Sequence, residues 1–211
     1  MRGLYLVTDR GLCGNRSLED VAHKALIGGA ACIQLREKDV STRFFVEEAQ
    51  RMKSLTARFR VPLIINDRID VALASGADGV HIGQDDMPYV QARRLMGPHA
   101  IIGLSVETWD DVLEAEALDV NYLGVSPVFE TPTKTDTKGS WGFAGIARIK
   151  AHSRHPLVAI GGLNASNAED AVMAGADSIA IISAICAASD PLLVSREINA
   201  IIQAALKRRP A

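Results

Sequence analysis

Short apolar runs alternate with amphipathic stretches along the whole chain. Eight apolar runs are predicted to be buried strands: Leu4–Val7, Ala31–Leu35, Pro62–Ile65, Gly79–His81, Ile101–Leu104, Tyr122–Val125, Leu157–Ile160 and Ser178–Ile182. The stretches between them have helical periodicity: Ser17–Gly28, Ser41–Phe59, Ile69–Ser75, Pro88–Met96, Thr108–Leu118, Phe143–His152, Ala165–Ala174 and Pro191–Lys207. Because strand and helix alternate throughout, the pattern predicts a parallel sheet with right-handed crossovers.

Eight strand–helix units favour a closed arrangement. The chain is predicted to be a single (β/α)₈ TIM-barrel domain, an α/β fold, over residues 1–211. Two small domains would also fit this length. The runner-up fold is a doubly wound open sheet, which would carry a glycine-rich fingerprint after its first strand. The segment Thr8-Asp9-Arg10-Gly11 does not provide that fingerprint, so the barrel is preferred.

The composition narrows the class of protein. Of the 211 residues, 48% are hydrophobic and 23% are charged, which is enough apolar material for a large core. The net charge is −2 and the basic residues are scattered, which argues against a nucleic-acid partner. The widely spaced Cys13, Cys32 and Cys186 fit reduced thiols rather than disulfides or a zinc site. Because no apolar run suits a membrane span or a secretory signal, we expect a cytoplasmic protein without a membrane partner.

Polar residues follow nearly every apolar run, at the point where each predicted strand ends. They are Arg36, Glu37 and Lys38; Asn66 and Asp67; Gln84, Asp85 and Asp86; Ser105; Thr131, Thr133 and Lys134; Gly161 and Gly162; and Ser183. In a parallel barrel these strand ends meet at one rim, and that rim carries the active site in barrel enzymes. The pattern therefore predicts an active site on this rim.

Two carboxylates on this rim suggest a magnesium site. Asp67 follows the third predicted strand and Asp86 the fourth, so a barrel would make them neighbours. Two carboxylates leave room for water and phosphate oxygens, which is how Mg²⁺ prefers to be held. The alternative for Asp67 is a helix cap, a common role for Asp where a strand turns into a helix.

Cations on the same rim favour a polyphosphate ligand. Arg36 and Lys38 follow the second strand and Lys134 the sixth, and such groups suit phosphate oxygens. A solvated loop residue is the ordinary alternative for Lys38. The neutral side chains of Gln34, Asn66 and Ser105 would add donors and acceptors at this edge. The segment Pro127–Gly142 lacks either periodicity and is predicted to be a lid over the site.

The last two strands carry a second signal. Gly161 and Gly162 follow the seventh strand, and Ser183 follows the eighth just before a helical turn. Barrels commonly bind a phosphate monoester between these two loops, so we favour phosphate over a simple tight turn. His81 lies within a strand, where a core role and a substrate contact are equally plausible. The remaining histidines, including His155, are predicted to lie on the surface.

Taken together, these motifs resemble the thiamine phosphate synthase family. The resemblance spans nearly the whole chain, from Leu4 to Ile185. It is carried by Gln34-Leu35-Arg36-Glu37-Lys38, Ile65-Asn66-Asp67-Arg68, Gly79-Val80-His81-Ile82-Gly83-Gln84-Asp85-Asp86, Thr131-Pro132-Thr133-Lys134 and Ala159-Ile160-Gly161-Gly162. No single motif identifies the family, but the order and spacing of the motifs are highly specific to it. Ser126 and Glu130 depart from the residues that are frequent in the family, and neither departure removes a ligand.

The resemblance implies a (β/α)₈ enzyme of thiamine biosynthesis. Such an enzyme joins a hydroxymethylpyrimidine diphosphate to a thiazole phosphate in a dissociative, Mg²⁺-assisted reaction that releases pyrophosphate. By motif match, the pyrimidine diphosphate would be held by Gln34, Arg36, Lys38, Asn66, Ser105 and Lys134, of which Arg36, Lys38 and Lys134 would be catalytic. The thiazole phosphate would be held by Thr131, Thr133, Gly162, Ile182 and Ser183, and Mg²⁺ by Asp67 and Asp86.

Two other functions are weighed against the synthase. The sister family of thiazole tautomerases resembles it in sequence, but proton transfer needs a general base and no diphosphate clamp. A non-catalytic sensor of phosphate ligands on a barrel scaffold would not need the carboxylates. The presence of Arg36, Asp67, Asp86 and Lys134 favours the synthase. The sequence leaves a homo-oligomer open.

Overall fold

The protein is a closed eight-stranded parallel barrel. The computed structural model describes residues 2–130 and 139–209. Its strands are β1 Gly3–Val7, β2 Cys32–Leu35, β3 Leu63–Asn66, β4 Gly79–Ile82, β5 Ile101–Val106, β6 Tyr122–Val125, β7 Leu157–Ile160 and β8 Ser178–Ile181. Each strand pairs in parallel with the next, and β8 closes on β1. The predicted TIM barrel is thereby confirmed, and the open sheet is excluded.

A helix follows each strand, and their bounds are close to those expected from the sequence. They are α1 Leu18–Ile27, α2 Thr42–Phe59, α3 Ile69–Ser75, α4 Tyr89–Met96, α5 Trp109–Ala115, α6 Gly142–His152, α7 Ala168–Met173, the short α8 Ser183–Cys186 and α9 Pro191–Arg208. The helix α7 begins later than predicted because the Asn167 side chain accepts a hydrogen bond from the backbone of Asn164, which forms a turn instead. Among the described residues, no helix is long and apolar enough to cross a membrane.

Alternation along the strands builds two separate apolar layers. One layer lies between the strands and the helices and includes Leu4, Leu6, Ile33 and Leu35. The other fills the barrel interior and consists of Tyr5, Val7, Cys32, Ile64, Tyr122, Val158 and Ala180. Because side chains alternate between the two layers, every second residue of a strand faces the interior.

Two glycines make room for aromatic rings inside the barrel. A Cβ atom on Gly103 of β5 would lie 2.0 Å from Cζ of Tyr122. A Cβ atom on Gly124 of β6 would lie 2.8 Å from Cε1 of His81. Both positions therefore need glycine because the interior at this level is already filled by the two rings.

The end of the barrel where the strands begin, here called the amino rim, is closed by side-chain caps. The residues that precede β4, β6 and β8 each accept the backbone N–H of the neighbouring strand: Asp78 from Leu63, Asn121 from Ile102 and Asp177 from Leu157. Each cap is also bound by a cation, which is Lys53, Arg93 and Lys150, respectively. The amino rim is thus a structural end, which leaves the opposite end, the carboxyl rim, for chemistry.

Candidate active site

A cavity of about 540 Å³ opens at the carboxyl rim. Ten of the residues predicted for the site line it: Gln34, Arg36, Lys38, Asn66, Asp67, Asp86, Ser105, Gly162, Ile182 and Ser183. The other three, Thr131, Thr133 and Lys134, lie outside the described residues. The structure therefore brings together every predicted site residue that it describes.

The bottom of the cavity, here called the floor, is a chain of five hydrogen-bonded side chains. Nε2 of Gln34 donates to the Tyr5 hydroxyl at 2.9 Å, and that hydroxyl lies 2.9 Å from the hydroxyl of Tyr122. The Tyr122 hydroxyl lies 3.0 Å from Nδ1 of His81. Nε2 of His81 lies 2.9 Å from Oγ of Ser105, which completes the chain.

Only the bond at the Gln34 end of the floor has a fixed direction. The Gln34 amide nitrogen can only donate, so the Tyr5 oxygen accepts there. Because a hydroxyl oxygen can accept two bonds, either tyrosine can donate to the other, and the roles of the two His81 nitrogens follow from the tautomer of the ring. Burial raises the pKa of both tyrosines, so both hydroxyls stay neutral and keep their protons.

Tyr5 and Tyr122 were not foreseen as cavity residues. A signal for them was present, because each is an inward position of a strand whose neighbours Leu4, Leu6 and Leu123 face the helices. His81 is a hydrogen-bonded residue of the barrel interior, since both of its ring nitrogens have partners. It also lines the cavity, and its contact with a substrate stays a prediction.

Asp67 and Asp86 lie close to each other and both line the cavity. Asp67 has a φ of 60°, a left-handed conformation that is costly for a residue other than glycine. Its backbone N–H donates to the carbonyl of His81 at 2.8 Å. No side chain caps α3, which starts after Arg68, so the helix-cap alternative for Asp67 is wrong. Burial raises the pKa of Asp86; the N–H of Gly83 opposes this effect, and the nearby Asp67 carboxylate adds to it.

The donor set suits a hard cation. No group of three or more His, Cys, Asp or Glu side chains within residues 2–130 and 139–209 is arranged to hold a metal. Mg²⁺, however, takes one or two carboxylates from a protein and completes its shell with water and phosphate oxygens. Asp67 and Asp86 offer that pair. A divalent cation bound between them would neutralise their negative charges and so remove the repulsion between them.

Two cations stand beside the carboxylates. Nζ of Lys38 lies 2.6 Å from Oδ2 of Asp67. The Arg36 guanidinium is 3.8 Å from Asp9, and its backbone N–H donates to Oγ1 of Thr8 at 3.0 Å. Both cationic side chains line the cavity, so an anionic ligand can meet them there.

The glycine pair after β7 is required by the backbone. Gly161 has a φ of 105° and Gly162 a φ of 66°, both in the region that favours glycine. A Cβ atom on Gly161 would lie 2.8 Å from Cβ of Pro127, and one on Gly162 the same distance from Cβ of Phe129. The tight turn thus accounts for the residue type, and the phosphate role stays a prediction supported by the pair's place on the cavity wall.

The segment predicted to be a lid is described only at its two ends, because residues 131–138 lie outside the described ranges. The backbone N–H of Trp141 donates to the carbonyl of Pro127 at 3.0 Å. The N–H of Gly142 donates to the carbonyl of Val128 at 2.9 Å. The two ends are therefore held side by side next to the cavity.

Two predictions on single residues need correction. Ser105 lies inside β5 rather than after it, because that strand runs on to Val106 through pairing with Val125. His155 is buried rather than exposed, and its Nε2 lies 3.2 Å from the carbonyl of Ala115 at the amino rim. A polar ring can be buried there because a backbone acceptor satisfies it.

Comparisons with known proteins agree on one family. The family model described as thiamine monophosphate synthase matches residues 4–185. The thiamine-phosphate synthase of Albidiferax ferrireducens is 52% identical over 201 residues, which are 95% of this chain and 92% of that protein. The thiamine-phosphate synthase of Leptospira biflexa is 53% identical over 195 residues, which are 90% of this chain and 93% of that protein.

Solved structures give the same answer. The thiamine phosphate pyrophosphorylase from Pyrococcus furiosus is 38% identical, with a TM-score of 0.89 over 97% of this chain and 96% of that one. A 3-hexulose-6-phosphate synthase matches with a TM-score of 0.66 at 16% identity over 95% of this chain and 99% of that one, which shows only the shared barrel fold.

Proposed function

The chain belongs to the thiamine monophosphate synthase family, and we propose how its cavity divides the reaction between two groups of residues. As a thiamine-phosphate synthase it is a transferase that forms thiamine monophosphate. In the proposed reaction a pyrimidine diphosphate and a thiazole phosphate enter the carboxyl-rim cavity, and thiamine monophosphate and pyrophosphate leave it. The observation that carries this proposal is that Asp67, Asp86, Lys38 and Arg36 line one cavity, with Lys38 bound to Asp67.

The first group would hold the diphosphate. Asp67 and Asp86 are the proposed Mg²⁺ ligands, and the bound ion would neutralise charge on the pyrophosphate as it leaves. Arg36 and Lys38, together with Lys134, would bind the diphosphate oxygens. Gln34, Asn66 and Ser105 would hydrogen-bond the rest of this substrate. The support is their common position around one cavity and the proximity of the two carboxylates, which adds to the raised pKa of Asp86.

The second group would hold the monophosphate of the thiazole. It consists of Gly162, Ile182 and Ser183, with Thr131 and Thr133 from the neighbouring segment. Loops after the seventh and eighth strands form the usual phosphate site of barrels, which supports this assignment by analogy. The two anionic groups would then lie on opposite sides of the cavity, with the reacting carbon and nitrogen between them.

The chemistry needs no protein nucleophile. The bond between the pyrimidine methylene carbon and the diphosphate oxygen breaks, and its electron pair leaves with pyrophosphate. The lone pair of the thiazole nitrogen then forms the new carbon–nitrogen bond. Tyr5 and Tyr122 are kept neutral by burial, so the floor would not attack the cation that forms between the two steps.

A thiazole tautomerase is the weaker alternative. Its reaction requires a general base, for which His81 is a cavity residue of suitable type. Both nitrogens of that ring are, however, already hydrogen-bonded to Tyr122 and Ser105. A sensor of phosphate ligands is disfavoured as well, because the relatives of similar length are named as synthases.

The test is an assay of the purified protein with both substrates that follows pyrophosphate release. We expect release that requires both substrates and stops when a chelator removes Mg²⁺. Asp67→Asn should abolish most of it, whereas Asp70→Asn, a substitution of an exposed carboxylate paired with Arg68 at the start of α3, should leave it unchanged. Full turnover in excess chelator would reject the metal assignment, and isomerisation of the thiazole alone would favour the tautomerase.

We also propose a cytoplasmic location for the protein. The support is that all three cysteines, Cys13, Cys32 and Cys186, are buried free thiols, as is usual in a reducing compartment. Fractionation of the source cells with an antibody against the chain tests this proposal.

A further inference from the structure

We propose that Glu37 is a positioning residue that holds Arg36 and Lys38 toward the diphosphate. It acts through a cluster behind the cavity, here called the Arg10 clamp, that consists of Arg10, Glu37 and Glu48. This inference rests on the proposed function, because it assumes that the two cations bind the diphosphate.

Glu37 stands between the two cations in the sequence but points away from the cavity. Arg36 and Lys38 both line the cavity, whereas the Glu37 side chain is packed behind it with only 4% of its surface exposed. There its Oε1 accepts two bonds from Arg10, at 2.9 Å from Nε and 2.6 Å from Nη2. Anchoring the Glu37 side chain behind the cavity restrains the backbone that carries its two neighbours, whose side chains line the cavity.

Arg10 is itself held firmly by α2. The same Nη2 atom lies 2.5 Å from Oε1 and 2.6 Å from Oε2 of Glu48, whose side chain is 2% exposed. The Arg10 guanidinium also stacks over the ring of Phe44 at 5.2 Å from its centroid. Because Arg10 belongs to the loop after β1, the clamp ties that loop, the loop after β2 and α2 together.

A second anchor acts on the same segment. Oγ1 of the fully buried Thr8, the residue after β1, accepts the backbone N–H of Arg36 at 3.0 Å. The backbone of Arg36 and the side chain of Glu37 are thus both bound to the loop after β1. Lys38 is the first residue beyond these two anchors, and its Nζ reaches Asp67 in the cavity.

The Arg10 clamp is not expected to contribute much to the stability of the fold. Two buried carboxylates share one guanidinium, and burying ion pairs is often no better for stability than apolar packing. The surplus charge is evident at Glu48, where burial raises the pKa, Arg10 opposes that effect and Glu37 adds to it. Rigid placement of two cations is, in contrast, what charge stabilisation of a leaving diphosphate requires.

Steady-state kinetics of Glu37→Gln test the inference. The amide keeps the shape of the side chain but removes its charge from Arg10. We expect kcat/KM for the pyrimidine diphosphate to fall at least tenfold, as is usual for supporting partners, with the KM for the thiazole phosphate unchanged. Arg10→Lys keeps the positive charge but loses the planar, forked set of N–H donors of the guanidinium. It should lower kcat/KM for the pyrimidine diphosphate in the same selective way, but to a smaller extent.

The matched control is Asp177→Asn at the amino rim, which also removes the charge of a buried carboxylate bound by Arg and Lys. It should lower the melting temperature without a selective change toward either substrate. In the double variant Arg10→Met/Glu37→Gln, adding Glu37→Gln should cause no further loss of kcat/KM beyond that of Arg10→Met. Both substitutions remove the same interaction between Arg10 and Glu37. A Glu37→Gln enzyme with unchanged kinetics, or with equal losses toward both substrates, would overturn the inference.

Arg36→Met and Lys38→Met separate this inference from the function on which it rests. If both variants keep full turnover, the diphosphate assignment fails and the inference fails with it. If both lose turnover while Glu37→Gln and Arg10→Lys do not, the diphosphate assignment stands and only the role of Glu37 is rejected.

Discussion

Two carboxylates at opposite rims of this barrel have opposite pKa shifts. At the amino rim, Asp177 accepts bonds from the backbone N–H of Leu157 and from the side chains of Lys150 and Arg209. Burial alone would raise the pKa of Asp177, but these partners together lower it. At the carboxyl rim, burial raises the pKa of Asp86, the N–H of Gly83 opposes this effect, and the neighbouring Asp67 carboxylate adds to it.

The difference separates what stabilises the fold from what serves the reaction. A carboxylate with several donors is fully satisfied by the protein and contributes to folding. A carboxylate beside a second carboxylate keeps a raised pKa, which a bound cation would lower. The raised pKa at the carboxyl rim thus indicates where binding occurs, and the lowered pKa at the amino rim indicates where substitutions unfold the protein.

The largest expected effect is on stability at the amino rim. We expect Asp177→Asn to lower the free energy of unfolding by about 3 kcal/mol, because it breaks a buried ion-pair network. Since the folded pKa of Asp177 is lowered, its stabilisation exists above its unfolded pKa and is lost as the pH falls through the folded value. Denaturant titrations from neutral to acidic pH measure this. Glu169→Gln, which breaks an exposed pair with Arg208, is the control and should change little.

The second prediction concerns the carboxyl rim. Asp86→Asn should lower turnover about a hundredfold, or about 2.7 kcal/mol in activation free energy, because it removes a proposed Mg²⁺ ligand. It should not lower stability, since it also relieves the repulsion between Asp86 and Asp67. Pyrophosphate release and thermal unfolding on one preparation test both parts. A variant that unfolds as readily as Asp177→Asn would erase the distinction between the rims.

The third prediction concerns a residue of the barrel interior, between the two rims. Gly103→Ala should destabilise the protein by about 1–3 kcal/mol, because its Cβ would overlap the Tyr122 ring. Removing the ring in the double variant Gly103→Ala/Tyr122→Leu should recover part of that loss. Thermal unfolding of the single and double variants checks this, and an additive loss would show that the overlap is not the cause.

The smallest effect is expected on stability, at Glu48 of the Arg10 clamp. Glu48 has a raised folded pKa, so its ionisation destabilises the fold increasingly as the pH rises above its unfolded value. We expect Glu48→Gln to be equal to or slightly more stable than the parent at neutral pH, by about 1 kcal/mol at most. The two proteins should converge below the unfolded pKa of Glu48, at about pH 3, where Glu48 is protonated in both states. Melting temperatures across this range would contradict the prediction if the parent is the more stable protein at about pH 7.

The fold and the rim could be predicted from the sequence because both depend on local pattern. Strand and helix alternate in the chain, and the residue after each apolar run marks the same end of the barrel. The floor depends on contacts across the barrel instead: Tyr5 and Tyr122 are 117 positions apart and meet only when the sheet closes. The same holds for Arg10 and Glu48, which are 38 positions apart. His155 could not be recognised as buried because its backbone partner is invisible in a sequence.

The five side chains of the floor form a hydrogen-bonded chain whose direction a single substitution would fix. Gln34→Glu would exchange a donor for an acceptor at its β2 end, so Tyr5 would donate its proton to the new carboxylate. Tyr5 would then accept from Tyr122, Tyr122 would accept from Nδ1 of a neutral His81, and Nε2 of that ring would accept from Ser105. The Ser105 hydroxyl would offer a ligand only its oxygen. One group exchanged on β2 would thus determine what a ligand meets on β5.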